Sequence, residues 1–195
     1  MAYVFDKLLS KGIRSGQVPA RTRAARNWFR DQAAGVGRAN RKGIISDNER
    51  LRSKVVVGGM YFFFYDPKGK KTLPYYDRFP LVVVTDITSD GFLGLNLHYL
   101  PPTLRAKLMD GLYTISNNKK YDETTRMRVS YDMLKSASKF RGYKPCVKRY
   151  LTGHLRSRLA YVNATEWDIA LFLPVEQFAK AGKSEVWADS RKNLR

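Results

Sequence analysis

Three runs of β-branched and aromatic residues, separated by turn signals, fall within residues 55–99 and commit the middle of this chain to antiparallel sheet. Val55–Val57 and Met60–Tyr65 supply the first run, and Asp66-Pro67-Lys68-Gly69 reads as a turn after it. Leu81–Ile87 is the second. Ser89-Asp90-Gly91 turns the chain into the third, Phe92–Tyr99, so these two form a hairpin. Gly94, inside the third run, marks a close backbone approach or a bulge. Adjacent antiparallel strands joined by short turns predict a small barrel of SH3-like type.

Helical patterns flank this block. Before it, Ala20–Ala34 is rich in Ala, Arg and Gln, with Pro19 near its start and Gly35 and Gly37 at its end. Asp47–Lys54 suggests a further short turn. After it, Pro101-Pro102 opens a helix carrying Leu104, Leu108 and Leu112, and Asp122–Lys139 reads as another. Pro145 opens a third, with Val147, Leu151 and Leu155 at spacing four. Ile169–Leu173 reads as a late strand and Pro174 as the start of a last helix with Val175, Phe178 and Ala179. The class is α+β: a small antiparallel barrel with several packed helices and a basic helical N-terminal arm. Residues 1–54 form the arm and 55–195 the globular domain. The arm is expected to order only against a partner and to be nicked by proteases near Gly35–Gly43 when free.

Charge restricts the partner. The chain has 36 Lys and Arg against 17 Asp and Glu, a net +19. Residues 1–54 hold 13 of the cations and 4 of the anions. So large an excess repels itself in the compact state and points to a counter-charged partner, nucleic acid first, then an anionic membrane or an acidic protein. No apolar run approaches the ~18 residues of a membrane span, and Asp6 and Lys7 interrupt any signal-peptide pattern. No membrane and no small-molecule ligand is therefore expected.

Nothing in the sequence demands catalysis. His98 and His154 are the two histidines, without further partners at metal-ligand spacing, and neither a phosphate loop nor a nucleophile elbow is present. Asp66, Asp77 and Asp90 stand beside Pro, Gly or turn residues and read as loop formers rather than nuclease carboxylates. Cys146 follows Pro145 without a paired base and reads as a small buried hydrophobe. The expectation is a non-enzymatic protein without cofactor or metal, with a nuclease as the minor alternative.

Two basic groups remain as phosphate ligands. Lys139, Arg141, Lys144, Lys148, Arg149, Arg156 and Arg158 lie close together, beside Phe140, Tyr143 and Tyr150, and no acidic residue occurs from Lys135 to Tyr161. Arg23, Arg26 and Arg30 recur at helical spacing in the arm. No base-reading motif accompanies either group, so contact with DNA is expected to be independent of sequence.

Several strings carry a family resemblance: Gly59-Met60-Tyr61-Phe62-Phe63, Tyr65-Asp66-Pro67-Lys68, Leu73-Pro74-Tyr75-Tyr76-Asp77, Phe79-Pro80-Leu81 and the run from Gly91 to Pro101. Others follow at Leu104–Asp110, Tyr121–Arg126, Ser138-Lys139-Phe140 and Asp189-Ser190-Arg191-Lys192, covering most of residues 59–192. In these the chain resembles a virion protein family of T-even-like tailed phages (myophages), some of whose members are DNA end protectors. The resemblance implies a minor structural protein, made in the host cytoplasm and carried in the virion. Such a protein binds the ends of packaged DNA, shields them from host exonucleases and, with other virion proteins, helps complete the head or neck. It supplies no site residues. The alternative is a tail or baseplate subunit whose charge docks acidic neighbours.

Overall fold

The structure, a computed structural model, describes residues 3–18, 22–116, 120, 130–136 and 143–192. Six strands build one antiparallel sheet in the order β1-β7-β2-β4-β5-β6: β1 is Leu51–Arg52, β2 Met60–Phe62, β4 Leu81–Thr88, β5 Gly91–Asn96, β6 Val147–Leu151 and β7 Leu159–Val162. A two-stranded ribbon pairs β3, Tyr76–Asp77, with β8, Phe178–Ala179. The expected hairpin is β4–β5, in register from Val82↔Asn96 to Thr88↔Gly91 with an irregularity between Val84 and Asp86. A Cβ on Gly94 would lie 2.3 Å from a Val82 methyl carbon and 2.7 Å from the Val83 carbonyl, so the backbone approach expected there is real.

Period-two alternation divides the core. Met60, Phe62, Leu81, Val83, Leu95, Ala160 and Val162 point to one face, beneath the helices. Tyr61, Phe63, Val82, Val84, Phe92, Tyr150 and Leu159 point to the other. There Phe63 meets Tyr150 edge-on at 5.2 Å and Tyr65 meets Tyr150 at 4.9 Å, the geometry aromatic quadrupoles prefer. An isolated antiparallel bridge, Tyr65↔Leu155, prolongs the pairing between the segments that follow β2 and precede β7. β1 and β6 remain the two ends of the sheet, which is open, so the closed SH3-like barrel is corrected to an open antiparallel sheet. Closure would require a ladder between β1 and β6, and none joins them.

The helices are α1 Val4–Arg14, α2 Arg23–Ala34, α3 Arg41–Ser46, α4 Pro102–Ser116, α5 over 130–136, α6 Trp167–Phe172 and α7 Lys183–Lys192. Thr22 caps α2, its Oγ1 accepting from Ala25 N–H at 3.0 Å. Phe5, Leu8, Phe29, Ala33 and Ile44, all within residues 1–54, sit in the same apolar cluster as the strands. The division at residue 54 passes between β1 and β2 of one sheet.

Three assignments after residue 140 are corrected. Residues 147–151 form strand β6 rather than a helix. A spacing of four is a multiple of two as well as close to a helical turn, and the ladder with β5 decides it. Residues 167–172 are helix α6 rather than a strand; it follows directly on a 3-10 turn, Ala164–Glu166, in which Asn163 and Glu166 form a capping box. Residues 178–179 are strand β8, and the last helix begins only at Lys183. The expected 122–139 helix lies outside the described residues except for 130–136, which are helical.

A buried polar cluster ties the ribbon to the sheet. Asp77 Oδ2 accepts from His98 Nδ1 at 2.7 Å and Asn96 Nδ2 at 3.2 Å, and Asp77 Oδ1 accepts from Phe79 N–H at 3.0 Å. Burial alone would raise this carboxyl's pKa, but His98 and the hydrogen bonds outweigh it and the pKa is lowered. Arg105, 1% exposed, donates to the carbonyls of Leu100 at 2.8 Å, Leu171 at 2.7 Å and His98 at 3.2 Å, and pairs with Glu176 at 2.7 Å. Trp187 Nε1 and Ser190 Oγ anchor α7 on the carbonyls of His98 and Tyr99, each at 2.8 Å.

Candidate nucleic-acid interface

The arginine stripe of α2 faces two ways. Arg23 is exposed. Arg26 is 4% exposed, paired with Asp110 at 3.2 Å and stacked 3.4 Å over the Tyr113 ring. Arg30 is 6% exposed, bound to Asp168 at 2.7 Å and Asp110 at 2.9 Å. Burial works against the charge on Arg30, yet the two carboxylates outweigh it and its pKa is raised. Asp168 is itself held above the usual carboxylate range by burial, which Arg30 offsets only in part. Ala25, Phe29 and Ala33 draw their neighbours Arg26 and Arg30 inward, where Asp110 pairs with both and Asp168 with Arg30.

The later group is divided as well. Lys139 and Arg141 lie outside the described residues. Lys144 and Arg158 are exposed. On β6 the pleat sends Arg149 outward and Lys148 inward. Lys148 Nζ rests 4.2 Å over the Tyr99 ring and burial lowers its pKa. Arg149 is exposed and grips both oxygens of Asp90 at 2.7 Å. Arg156 is exposed, 3.5 Å from Asp66 Oδ2.

Arg156 opens onto a group the sequence reading missed. It lines a cleft of 420 Å³ together with Phe64, Tyr65, Asp66, Lys70, Tyr76 and Arg78. Backbone bonds stitch the walls together: Tyr65 N–H to Arg78 C=O at 3.1 Å, Asp66 N–H to His154 C=O at 3.1 Å, Arg156 N–H to Phe64 C=O at 2.8 Å and Arg78 N–H to Gln177 C=O at 2.8 Å. Asp77 points into its buried cluster, so the flanking Tyr76 and Arg78 point out. Asp66 holds Lys70 at 2.9 and 3.0 Å. Its carboxyl pKa is lowered, chiefly by that hydrogen bond. The only sequence signal for this site is aromatic residues next to cations in Tyr75-Tyr76-Asp77-Arg78; the partners across the cleft are distant in sequence.

Other candidates turn inward. His98 is fully buried. His154 Nδ1 lies 2.8 Å from the Asp66 carbonyl. Cys146 is buried, its thiol pushed up to about 12 by burial, which makes it a packing residue rather than a thiolate. Among the described residues no three His, Cys, Asp or Glu stand close enough to hold a metal, and no helix is long and apolar enough to cross a membrane.

Fold and surface together define a basic α+β protein with cations displayed on a hydrogen-bonded framework, a class suited to a polyanionic partner. A family model described as the Phage T4 terminal DNA protecting protein matches residues 4–190, and the chain belongs to that family. The resemblance read over most of residues 59–192 is thereby shown, the match running as far as residue 190 and reaching back to the first helix. No curated protein and no solved structure matches the chain.

Proposed function

We propose that this protein binds the ends of linear duplex DNA through phosphate contacts that do not depend on sequence, and so denies exonucleases their entry point. The observation that carries this reading is membership of a family described by terminal DNA protection. The exposed Arg23, Lys144, Arg149, Arg156 and Arg158 support it, because phosphate contacts fix a protein on DNA without reading bases. Lys139 and Arg141 belong to the same proposed set. In this reading the protein travels in the virion at the genome terminus, contacts other virion proteins there and helps complete the head or neck. The chemistry required is binding alone.

Exonuclease digestion of linear duplex, with and without the protein, tests the reading. Protected termini are expected. If about six cations meet phosphates, log K should fall against log salt with a slope near ~−5. Lys144→Ala with Arg158→Ala should reduce that slope by about two while leaving stability intact, since both side chains are exposed. Digestion at the unprotected rate, or affinity indifferent to salt, refutes the proposal.

A further inference from the structure

We infer that the cleft between β3 and the 154–157 segment seats the terminal nucleotide of a DNA strand. The inference rests on the proposed end-binding function and gives it a location. Arg78 carries the argument. Its backbone N–H and C=O are bonded to Gln177 and Tyr65, while its guanidinium is exposed and has no partner among the described residues. A cation anchored at its backbone and open at its head can take a phosphate bidentately. Lys70 and Arg156 stand on the same cleft. Asp66 steadies both, leaving three cations against one carboxylate.

Beside these charges lie aromatic surfaces. Tyr76 is half-buried and its hydroxyl has no partner among the described residues. Phe64, also half-buried, is backed by Phe79 at 4.7 Å. A base has a π-face that such rings accept whatever its identity, so stacking here would not read sequence.

Size distinguishes an end from the middle of a duplex. At 420 Å³ the cleft falls within the ~300–1,000 Å³ of small-ligand sites, enough for one nucleotide but not for a stacked base pair with its neighbours. An internal nucleotide could enter only by flipping out of its stack, whereas a terminal one is stacked on one side only. The cleft therefore recognises termini by geometry, and flat contacts elsewhere supply affinity common to all DNA.

Binding of the full chain to three duplexes of equal length and sequence tests this: linear with 5′-phosphates, linear with 5′-hydroxyls, and closed at both ends by hairpin loops. Wild type is expected to favour the linear forms over the closed one by about tenfold or more. Arg78→Gln and Tyr76→Ala, on opposite sides of the inward-facing Asp77, should each remove most of that preference without changing affinity for the closed form. A preference for 5′-phosphate over 5′-hydroxyl that Arg78→Gln abolishes would place the terminal phosphate at Arg78. The cleft assignment fails if wild type discriminates and neither variant alters the discrimination, or if both variants weaken linear and closed DNA in parallel. Wild type that binds none of the three removes the end-binding function and the cleft assignment together.

Discussion

Replacing Arg105 by Met should be among the most damaging single changes available to this fold. Arg105 is 1% exposed, and its guanidinium makes four contacts, to three carbonyls and to Glu176. The His98 carbonyl keeps its bond from Trp187, so its loss is slight. The Glu176 carboxylate, its side chain 6% exposed, would be left without its cation, and breaking one partner out of such an enclosed pair costs about 3–5 kcal/mol. The Leu100 and Leu171 carbonyls lose a strong donor, adding about 1 kcal/mol in all after relaxation. A loss of about 4–6 kcal/mol is large against the ~5–15 kcal/mol that typically holds a protein folded, and corresponds to a fall in Tm of roughly 10–20 °C for a chain this long. Urea denaturation followed by tryptophan fluorescence measures it directly, because Trp187 lies 5.4 Å from the Arg105 guanidinium. Adding Glu176→Gln should restore about 1–2 kcal/mol by removing the stranded charge. A loss below about 2 kcal/mol, or no recovery in the double variant, would refute the view that this pair and its carbonyls pin the fold.

Two further outcomes follow from particular contacts. Gly12→Ala should destabilise by about 1–3 kcal/mol despite alanine's better helix propensity, because the new Cβ would lie 2.3 Å from Cζ of Phe29, a ring only 1% exposed; thermal melts check this. Acid should unfold the protein. Burial would raise the pKa of Asp77 and Glu176, but for Glu176 the charges of His98 and Arg105 outweigh it, and both carboxyls are lowered. Their stabilisation is present above the ordinary carboxylate range near ~4 and is lost as pH falls through their depressed folded values. Asp168, raised by burial, has the opposite sign and softens the decline. Stability measured from pH 7 down to pH 3 should therefore fall below about pH 4, and more gently in Asp77→Asn, which starts lower.

The sequence made the β4–β5 hairpin legible because three independent signals agree there: β-branched runs, a Ser-Asp-Gly turn and a glycine at the close approach. Agreement failed at Val147, Leu151 and Leu155, whose spacing suits a strand face as well as a helix face, so only long-range pairing with β5 could decide. Ile169–Leu173 is short and apolar, equally ambiguous, although the Asn163–Glu166 capping pair was a readable helix signal. On α2 the periodicity was visible but its orientation was not. Arginine is presumed exposed unless a carboxylate waits inside, and Asp110 and Asp168 arrive from sequence positions far away. The cleft was invisible for the same reason: Lys70, Arg78 and Arg156 meet only because Tyr65, His154 and Gln177 are stitched together through the backbone.

These buried pairs bear on how the net charge of +19 should be understood. Four arginines are buried among the described residues, Arg26, Arg30, Arg50 and Arg105, and so are four carboxylates, Asp47, Asp77, Glu166 and Asp168. Arg50 shows the pattern, meeting Asp47 at 2.8 Å and Glu166 at 2.7 Å with its pKa raised against the pull of burial. The interior is therefore close to neutral, and the excess positive charge sits on half-buried and exposed positions and on the residues outside the described set. Had the arginines been needed to neutralise an acidic core, the composition would have said nothing about a partner. Because the buried charges among the described residues balance, the excess lies outside that interior. Its self-repulsion is a cost of folding that phosphate would relieve, so binding linear DNA should raise the Tm, and raise it less as salt is added.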